Sequence, residues 1–287
     1  MPQSLPATTL IIQDFSLLGN ISTAAALPVA AAFGLTTAIL PVTLLSTQTE
    51  GFDKPKKLDL TNWLNDVVNH WSQEELMSFE TIQIGYLGSE AAIEFASKIL
   101  DLAQGTRIVV DPVFADQGEQ YPGLDKGYAK LLDPILKKAD VITPNVTELG
   151  ELVDRKLSFQ SSFEELARIV QMLETRFQHD VKVVVTGIEF DDQIGVFFTD
   201  PVSSDGYRFI GHHKIAGHFY GAGDFFAATL SGELSRSIEF TEAVQQAVDI
   251  TLMAINETSQ LPREWRKFGL KFTTALDEII RRSAGRQ

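Results

Sequence analysis

Gly221-Ala222-Gly223-Asp224 stands directly before the apolar run Phe225-Phe226-Ala227-Ala228-Thr229-Leu230. Two glycines let a chain turn so that several N–H groups point one way with nothing bulky in front of them. A helix starting there adds about half a positive charge at the same end. The combination forms an anion hole for a transferring phosphoryl group, with Gly221, Ala222 and Gly223 as its candidate residues. Asp224 is the candidate base, placed to take the proton of an attacking hydroxyl. A plain tight turn with a helix-favouring aspartate is the competing reading.

Three other segments carry related chemistry. Thr143-Pro144-Asn145-Val146-Thr147-Glu148 lies where an apolar run ends and a helix begins. Asn145 and Glu148 share a helical face and could orient a hydrated magnesium ion with the phosphates it bridges. A helix cap with a first-turn glutamate is the alternative. Asp111, in Asp111-Pro112-Val113, is a second carboxylate for that metal or its phosphates, with a strand-ending Asp-Pro turn as the bland reading. Thr186-Gly187 closes the run Val183-Val184-Val185. Ligands of open α/β sheets bind outside the carboxyl ends of the strands. Four strand ends presenting Asp, Asn, Glu, Thr and Gly thus predict one site along one sheet edge.

The elements that must position these residues follow from periodicity. Strands are predicted at Thr9–Gln13, Thr36–Leu40, Thr81–Gly85, Arg107–Val110, Asp140–Thr143 and Val181–Thr186. Nearly continuous apolar or β-branched character suits strands buried on both faces of a parallel sheet; only Thr81–Gly85 alternates. Helices are predicted between them at Ser22–Phe33, Glu90–Leu102, Asp125–Lys137 and Phe163–Phe177. The alternation predicts an α/β fold, with a mostly parallel central sheet and helices on both faces. Gln193–Thr199 and Tyr207–His212 read as an antiparallel pair, followed by helices at Asp224–Ser235, Thr241–Glu257 and Thr273–Arg282. Thr43–Leu58 and Phe114–Gly123 read as mobile flap loops over the site. Two helices, Leu60–His70 and Gln73–Ser78, are expected after the first flap. With no repeat and no long linker, residues 1–287 read as one domain.

Composition removes whole classes of function. In 287 residues, 24 Lys and Arg face 38 Asp and Glu, for a net charge of −14. Such a surface repels polyphosphate backbones, so nucleic acid is excluded as a partner. The chain has no cysteine, which excludes disulfides, thiolate zinc sites and cysteine nucleophiles. It contains no P-loop, no Gly-rich dinucleotide fingerprint after the first strand and no Gly-x-Ser-x-Gly elbow. The first basic residue is Lys54, and the apolar stretch Ala24–Leu35 is short and broken by Pro28. Neither a secretory signal nor a membrane span is expected, which makes a cytoplasmic protein the reading.

The chain resembles the pyridoxal (vitamin B6) kinases of the ribokinase-like superfamily. The resemblance is carried, in order, by Ile12-Gln13-Asp14-Phe15-Ser16, Gly19-Asn20, Leu45-Ser46-Thr47-Gln48-Thr49 and Gly85-Tyr86-Leu87-Gly88-Ser89. Asp111-Pro112-Val113, Thr143 to Glu148 and Gly221 to Asp224 complete it. It implies a single-domain ribokinase-like fold and ATP-dependent phosphorylation of the 5′-hydroxymethyl of pyridoxal, pyridoxine or pyridoxamine. By position it makes Asp224 the base and Gly221, Ala222 and Gly223 the anion hole. ATP would meet Asp111, Thr143, Asn145, Glu148, Thr186, Gly187, Ile210, Gly211 and His212. Mg2+ would be held by Glu148 and Asp111 through water, and a monovalent cation is a further candidate. Asp14, Ser16, Thr49 and Tyr86 would line the pyridine site, in a homodimer whose loops close over the phosphates.

Many relatives of that branch carry serine at the position of Asp14. A carboxylate there favours a protonated ring nitrogen or another donor. The alternatives are a hydroxymethylpyrimidine kinase of thiamin synthesis, which usually has cysteine in place of the base, and a non-catalytic binder of B6 or nucleotide. His212, His213 and His218 fit no zinc spacing and read as loop or nucleotide contacts. Trp63 and Trp71 read as packing residues.

Overall fold

Side chains of successive strand residues leave a sheet on opposite faces, and in this chain both sets are apolar. In β1 (Thr8–Ser16), Leu10 and Ile12 join one buried cluster while Ile11 joins another. The computed structural model describes residues 8–103, 105–177 and 179–285. After β1 come α1 (Thr23–Ala32), β2 (Thr36–Leu45), β3 (Lys57–Asp59), α2 (Thr61–Gln73), β4 (Thr81–Ile84), α3 (Glu90–Leu102) and β5 (Arg107–Val110). A hairpin of β6 (Ala115–Asp116) and β7 (Glu119–Gln120) leads to α4 (Tyr128–Leu131), α5 (Asp133–Leu136), β8 (Val141–Ile142), α6 (Val146–Leu152) and α7 (Phe163–Arg176). Then follow β9 (Lys182–Phe190), β10 (Gln193–Thr199), β11 (Tyr207–His213), α8 (Ala222–Ser235), α9 (Phe240–Ser259), a 3-10 turn (Arg263–Phe268) and α10 (Thr273–Ala284).

One nine-stranded sheet runs in the order β11-β10-β9-β8-β5-β4-β1-β2-β3. The inner six strands are parallel, and β3, β10 and β11 add antiparallel edges. Ile108 and Val110 of β5 and Val183 and Val185 of β9 face the cluster made with α2 to α7. Val109 and Val184 face the opposite way, toward α8 and α9. Helices therefore cover both faces, as the near-continuous apolar strands require.

The structure differs from the periodicity in four places. The expected helix Asp125–Lys137 is two short helices, α4 and α5, because Pro134 near the start of α5 has no N–H to give and crowds the preceding turn. No helix forms over Gln73–Ser78; α2 runs on to Gln73 and the chain turns away through Glu75 at φ 57°. The ends of the Thr43–Leu58 flap pair as strands, Thr43 with Asp59 and Leu45 with Lys57. The Phe114–Gly123 flap is the β6–β7 hairpin. Trp71 packs against the core, whereas Trp63 is 58% exposed. Among the described residues no helix is long and apolar enough to cross a membrane.

Candidate active site

The carboxyl ends of β1, β4, β5, β8 and β9 open into a cavity of about 330 Å³. Its wall contains Asp14, Ser16, Thr49, Tyr86, Asp111, Thr143, Asn145, Glu148, Thr186, Gly187, His212 and Gly221 to Asp224. Those are the sequence-predicted positions with two exceptions, Ile210 and Gly211. Both lie on β11, of which His212 reaches the wall, beside Ile194, Gly195 and Val196 of β10. Ile210 packs into the cluster with Val196 and Phe198, and Gly211 pairs with Gly195.

Asp14 reaches the cavity because β1 and β2 slip register between Gln13 and Phe15, a local irregularity that re-aims a side chain. Its backbone is held on both sides: its N–H donates to Tyr86 O at 2.9 Å, and its carbonyl accepts from Thr23 Oγ1 at 2.7 Å. Asp14 is only 2% exposed. Its Oδ2 accepts from Ser16 Oγ at 3.3 Å, while Oδ1 has no hydrogen-bond partner among the described residues. Burial pushes its carboxyl up to about 7, with the charge of Asp224 adding to the rise and the hydroxyls of Ser22 and Ser16 opposing it. Burial, then the charge of Asp14, pushes the Tyr86 phenol up to about 12. Tyr86 therefore keeps its proton as a donor.

On the opposite wall, Gly221 turns the chain into α8 at φ 77°, a conformation that L-residues resist. A Cβ there would lie 2.7 Å from Ile21 Cδ1. The first-turn amides of a helix have no partner in its own ladder. Ala222 N–H turns back to Phe219 O at 3.3 Å, so the amides of Gly223 and Asp224 are the ones free of the helix ladder. Asp224 Oδ2 accepts the backbone N–H of Ser22 at 3.0 Å. Burial raises the Asp224 carboxyl above its ordinary range, against the pull of that N–H.

Asn145 and Glu148 close the capping box weighed as the alternative. Asn145 Oδ1 accepts Glu148 N–H, and Glu148 Oε2 accepts Asn145 N–H, both at 3.0 Å. Glu148 Oε1 also takes the N–H of Phe114 at 2.8 Å and of Ala115 at 3.4 Å. One carboxylate thus fixes the start of α6 and the root of the β6–β7 hairpin. Even so, burial pushes its pKa up to about 7. Asp111 is raised well above its usual range by burial, then by the charges of Glu148 and Asp224. Glu148→Gln turns an amide NH2 toward amides that need an acceptor. It should cost about 1–3 kcal/mol, read by urea unfolding, and raise the magnesium concentration for half-maximal rate.

Sequence reasoning missed Ser22, Glu50, Asp116 and Tyr121, and read His218 only as a loop or nucleotide contact. Three of the missed four sit in the flaps, where no periodicity constrains them. Glu50, Asp116 and His218 bring one ligand atom each within 4.8 Å of one another, in place of the three-histidine cluster considered above. Burial, then Asp116 and Asp224, pushes Glu50 up to about 7. Six carboxylates therefore line the cavity, from Asp14, Glu50, Asp111, Asp116, Glu148 and Asp224, against a single lysine, Lys214. That lysine is held by Glu189 at 2.5 Å. A crowded, all-oxygen donor set of this kind fits a hard divalent cation such as Mg2+.

The fold recurs in known proteins. A crystal structure of pyridoxal kinase from Lactobacillus plantarum superposes with a TM-score of 0.89 at 32% identity, over 97% of this chain and 98% of that one. A pyridoxine/pyridoxal/pyridoxamine kinase of Bordetella bronchiseptica is 24% identical over 264 residues, 89% of this chain and 91% of its own. A hydroxymethylpyrimidine/phosphomethylpyrimidine kinase of Bacillus subtilis is 26% identical over 182 residues, 62% of this chain, which spans 64% of that relative's length. Residues 23–267 match the phosphomethylpyrimidine kinase family. The chain belongs to that family, and its resemblance to the pyridoxal kinases of the ribokinase-like superfamily is borne out over nearly its whole length.

Proposed function

We propose that the protein is a B6-vitamer kinase that transfers the γ-phosphoryl of ATP to the 5′-hydroxyl of pyridoxal, pyridoxine or pyridoxamine, all residues acting as one domain. The observation that carries this reading is a single cavity with Asp14 and Tyr86 on one wall and Asp224 at the Gly221–Gly223 turn on the other. Asp14, Ser16, Thr49 and Tyr86 hold the ring. Asp224 accepts the hydroxyl proton on the oxygen that Ser22 leaves free, as the new O–P bond forms and the β–γ bridge bond breaks to release ADP. The amides of Gly223 and Asp224 hold the phosphoryl oxygens as charge builds on them. Thr143, Asn145, Thr186, Gly187 and His212 line the nucleotide side. Asp111 and Glu148, both through water, would hold Mg2+, which would supply charge neutralisation to the phosphates. The compartment we assign to this ATP-consuming activity is the cytoplasm.

A homodimer is part of this reading. Leu17 and Leu58 are 62% and 57% exposed and flank β2 on either side, since Leu17 N–H bonds Leu45 O and Leu58 pairs with Leu44. Such an apolar edge suits burial against a second copy.

The test is ADP release with MgATP and each of pyridoxal, pyridoxine, pyridoxamine and hydroxymethylpyrimidine. A B6 vitamer should give the highest kcat/KM. The pyrimidine is the second reading, favoured by the family match and by the Bacillus relative, and its preference would replace the first. No ADP above background with any acceptor would leave only a binder.

A further inference from the structure

Ser22 does not do what a serine before a helix ordinarily does. It precedes α1 at the capping position, yet its side chain makes no capping hydrogen bond, the role for which serine is favoured there. Its backbone sits at φ 50°, ψ −124°, a conformation that non-glycine residues visit rarely and at a cost. Two things are gained from that strain. The Ser22 N–H reaches across the chain to Asp224 Oδ2 at 3.0 Å, joining residues 202 positions apart. The Ser22 side chain is only 4% exposed, and its hydroxyl is one of the groups that oppose the rise of the Asp14 carboxyl. The next residue completes the link, because Thr23 Oγ1 bonds the Asp14 carbonyl at 2.7 Å. One short segment thus touches both walls of the cavity. Neighbouring Gly221 is locked into the same corner, with room for no Cβ against Ile21 and Asn20 O.

We propose that Ser22 is a positioning residue whose strained backbone aims its N–H at one oxygen of Asp224 and keeps its hydroxyl beside Asp14, holding the proton acceptor and the ring-binding carboxylate in one register. This rests on Asp224 being the base. With Oδ2 engaged, only Oδ1 of Asp224 is left to meet the substrate hydroxyl, so the amide selects the working rotamer. The hydroxyl supports Asp14 separately, which means the two halves of the residue carry separable effects.

Two substitutions separate them. Ser22→Thr keeps the hydroxyl but adds a β-branch, which is poorly tolerated at positive φ and moves the N–H off Asp224. We expect kcat to fall about tenfold, the size of one charge-assisted hydrogen bond, with KM for the B6 vitamer near that of the parent. Ser22→Gly adopts the same φ without strain and keeps the N–H but loses the hydroxyl. It should retain kcat within about twofold, raise the vitamer KM severalfold and leave KM for ATP unmoved, with Tm no lower than the parent's. A merely structural serine would move Tm in both variants and leave this crossed kcat and KM pattern absent. Should the threonine variant not fold, the glycine variant decides: an unmoved vitamer KM or a collapsed kcat overturns the assignment. If Asp224→Asn proves fully active, the base has been placed wrongly; if Asp224→Asn is inactive while Ser22→Thr keeps parent kcat, the failure belongs to Ser22 alone.

Discussion

Asp224→Asn should lower kcat by ~10²–10⁴-fold, the usual worth of a positioned acid–base group, with KM for ATP changed only a few-fold. The substitution is nearly isosteric. The asparagine Oδ1 can still accept the Ser22 N–H that Asp224 Oδ2 accepts at 3.0 Å, so the geometry survives while the proton acceptor does not. Burial raises the Asp224 carboxyl, and its charge in turn pushes up Asp14, Glu50 and Asp111. Removing that charge relieves repulsion among groups that share the cavity. Thermal stability should therefore hold or rise as activity collapses, a pairing that misfolding cannot imitate. Steady-state kinetics with a melting curve on the same preparation checks both, and a near-parent rate would remove Asp224 from the chemistry.

Asp14→Ser should raise KM for the preferred vitamer by roughly 2- to 30-fold, with kcat within a few-fold. A hydrogen bond to a charged group is worth ~1.5–3 kcal/mol against about 1 for a neutral pair, and each 1.4 kcal/mol is a factor of ten. The unpartnered Oδ1 of Asp14 waits for a donor such as a protonated ring nitrogen. The stability change has a sign that separates this from a strand-ending role. The carboxyl is pushed up to about 7 in the folded chain from its ordinary 3.8. The folded protein holds the proton more tightly, so this aspartate's contribution is most favourable below pH ~4 and is lost as pH rises through about 7. The serine variant should thus be more stable than the parent at pH 8 and lose that advantage toward pH 4. A variant destabilised at pH 8 with an unmoved KM would mean that Asp14 serves the strand and not the ring.

The strands were legible because burial on both faces leaves continuous apolar runs such as Arg107–Val110, whose predicted and observed bounds coincide. The strand-end residues were legible for the same reason, since topology brings carboxyl ends to one edge whatever the side chains are. Local backbone chemistry was less legible. The helix over Asp125–Lys137 was overread because the apolar spacing passes straight through Pro134. Glu148 read as a choice between a cap and a metal neighbour, whereas its two oxygens take three amides from two segments. Glu50 and Asp116 carried no signal beyond lying in the flaps. Ser22 read only as the first residue of a helix, and nothing in the spacing shows that its amide meets a residue 202 positions away.

If the protein is the kinase proposed above, the crowding of carboxylates also bears on which form of the nucleotide is admitted. A cavity walled by Asp111, Asp116, Glu148 and their neighbours, with its one lysine already committed to Glu189, repels a bare triphosphate more strongly the deeper it enters, because Coulomb energies grow as water is excluded. The same triphosphate arriving with a divalent cation brings the countercharge that the wall lacks. Under the proposed function the acidic wall would act as a filter, passing the metal-complexed, reactive nucleotide and turning away the uncomplexed form that would occupy the site without being able to react.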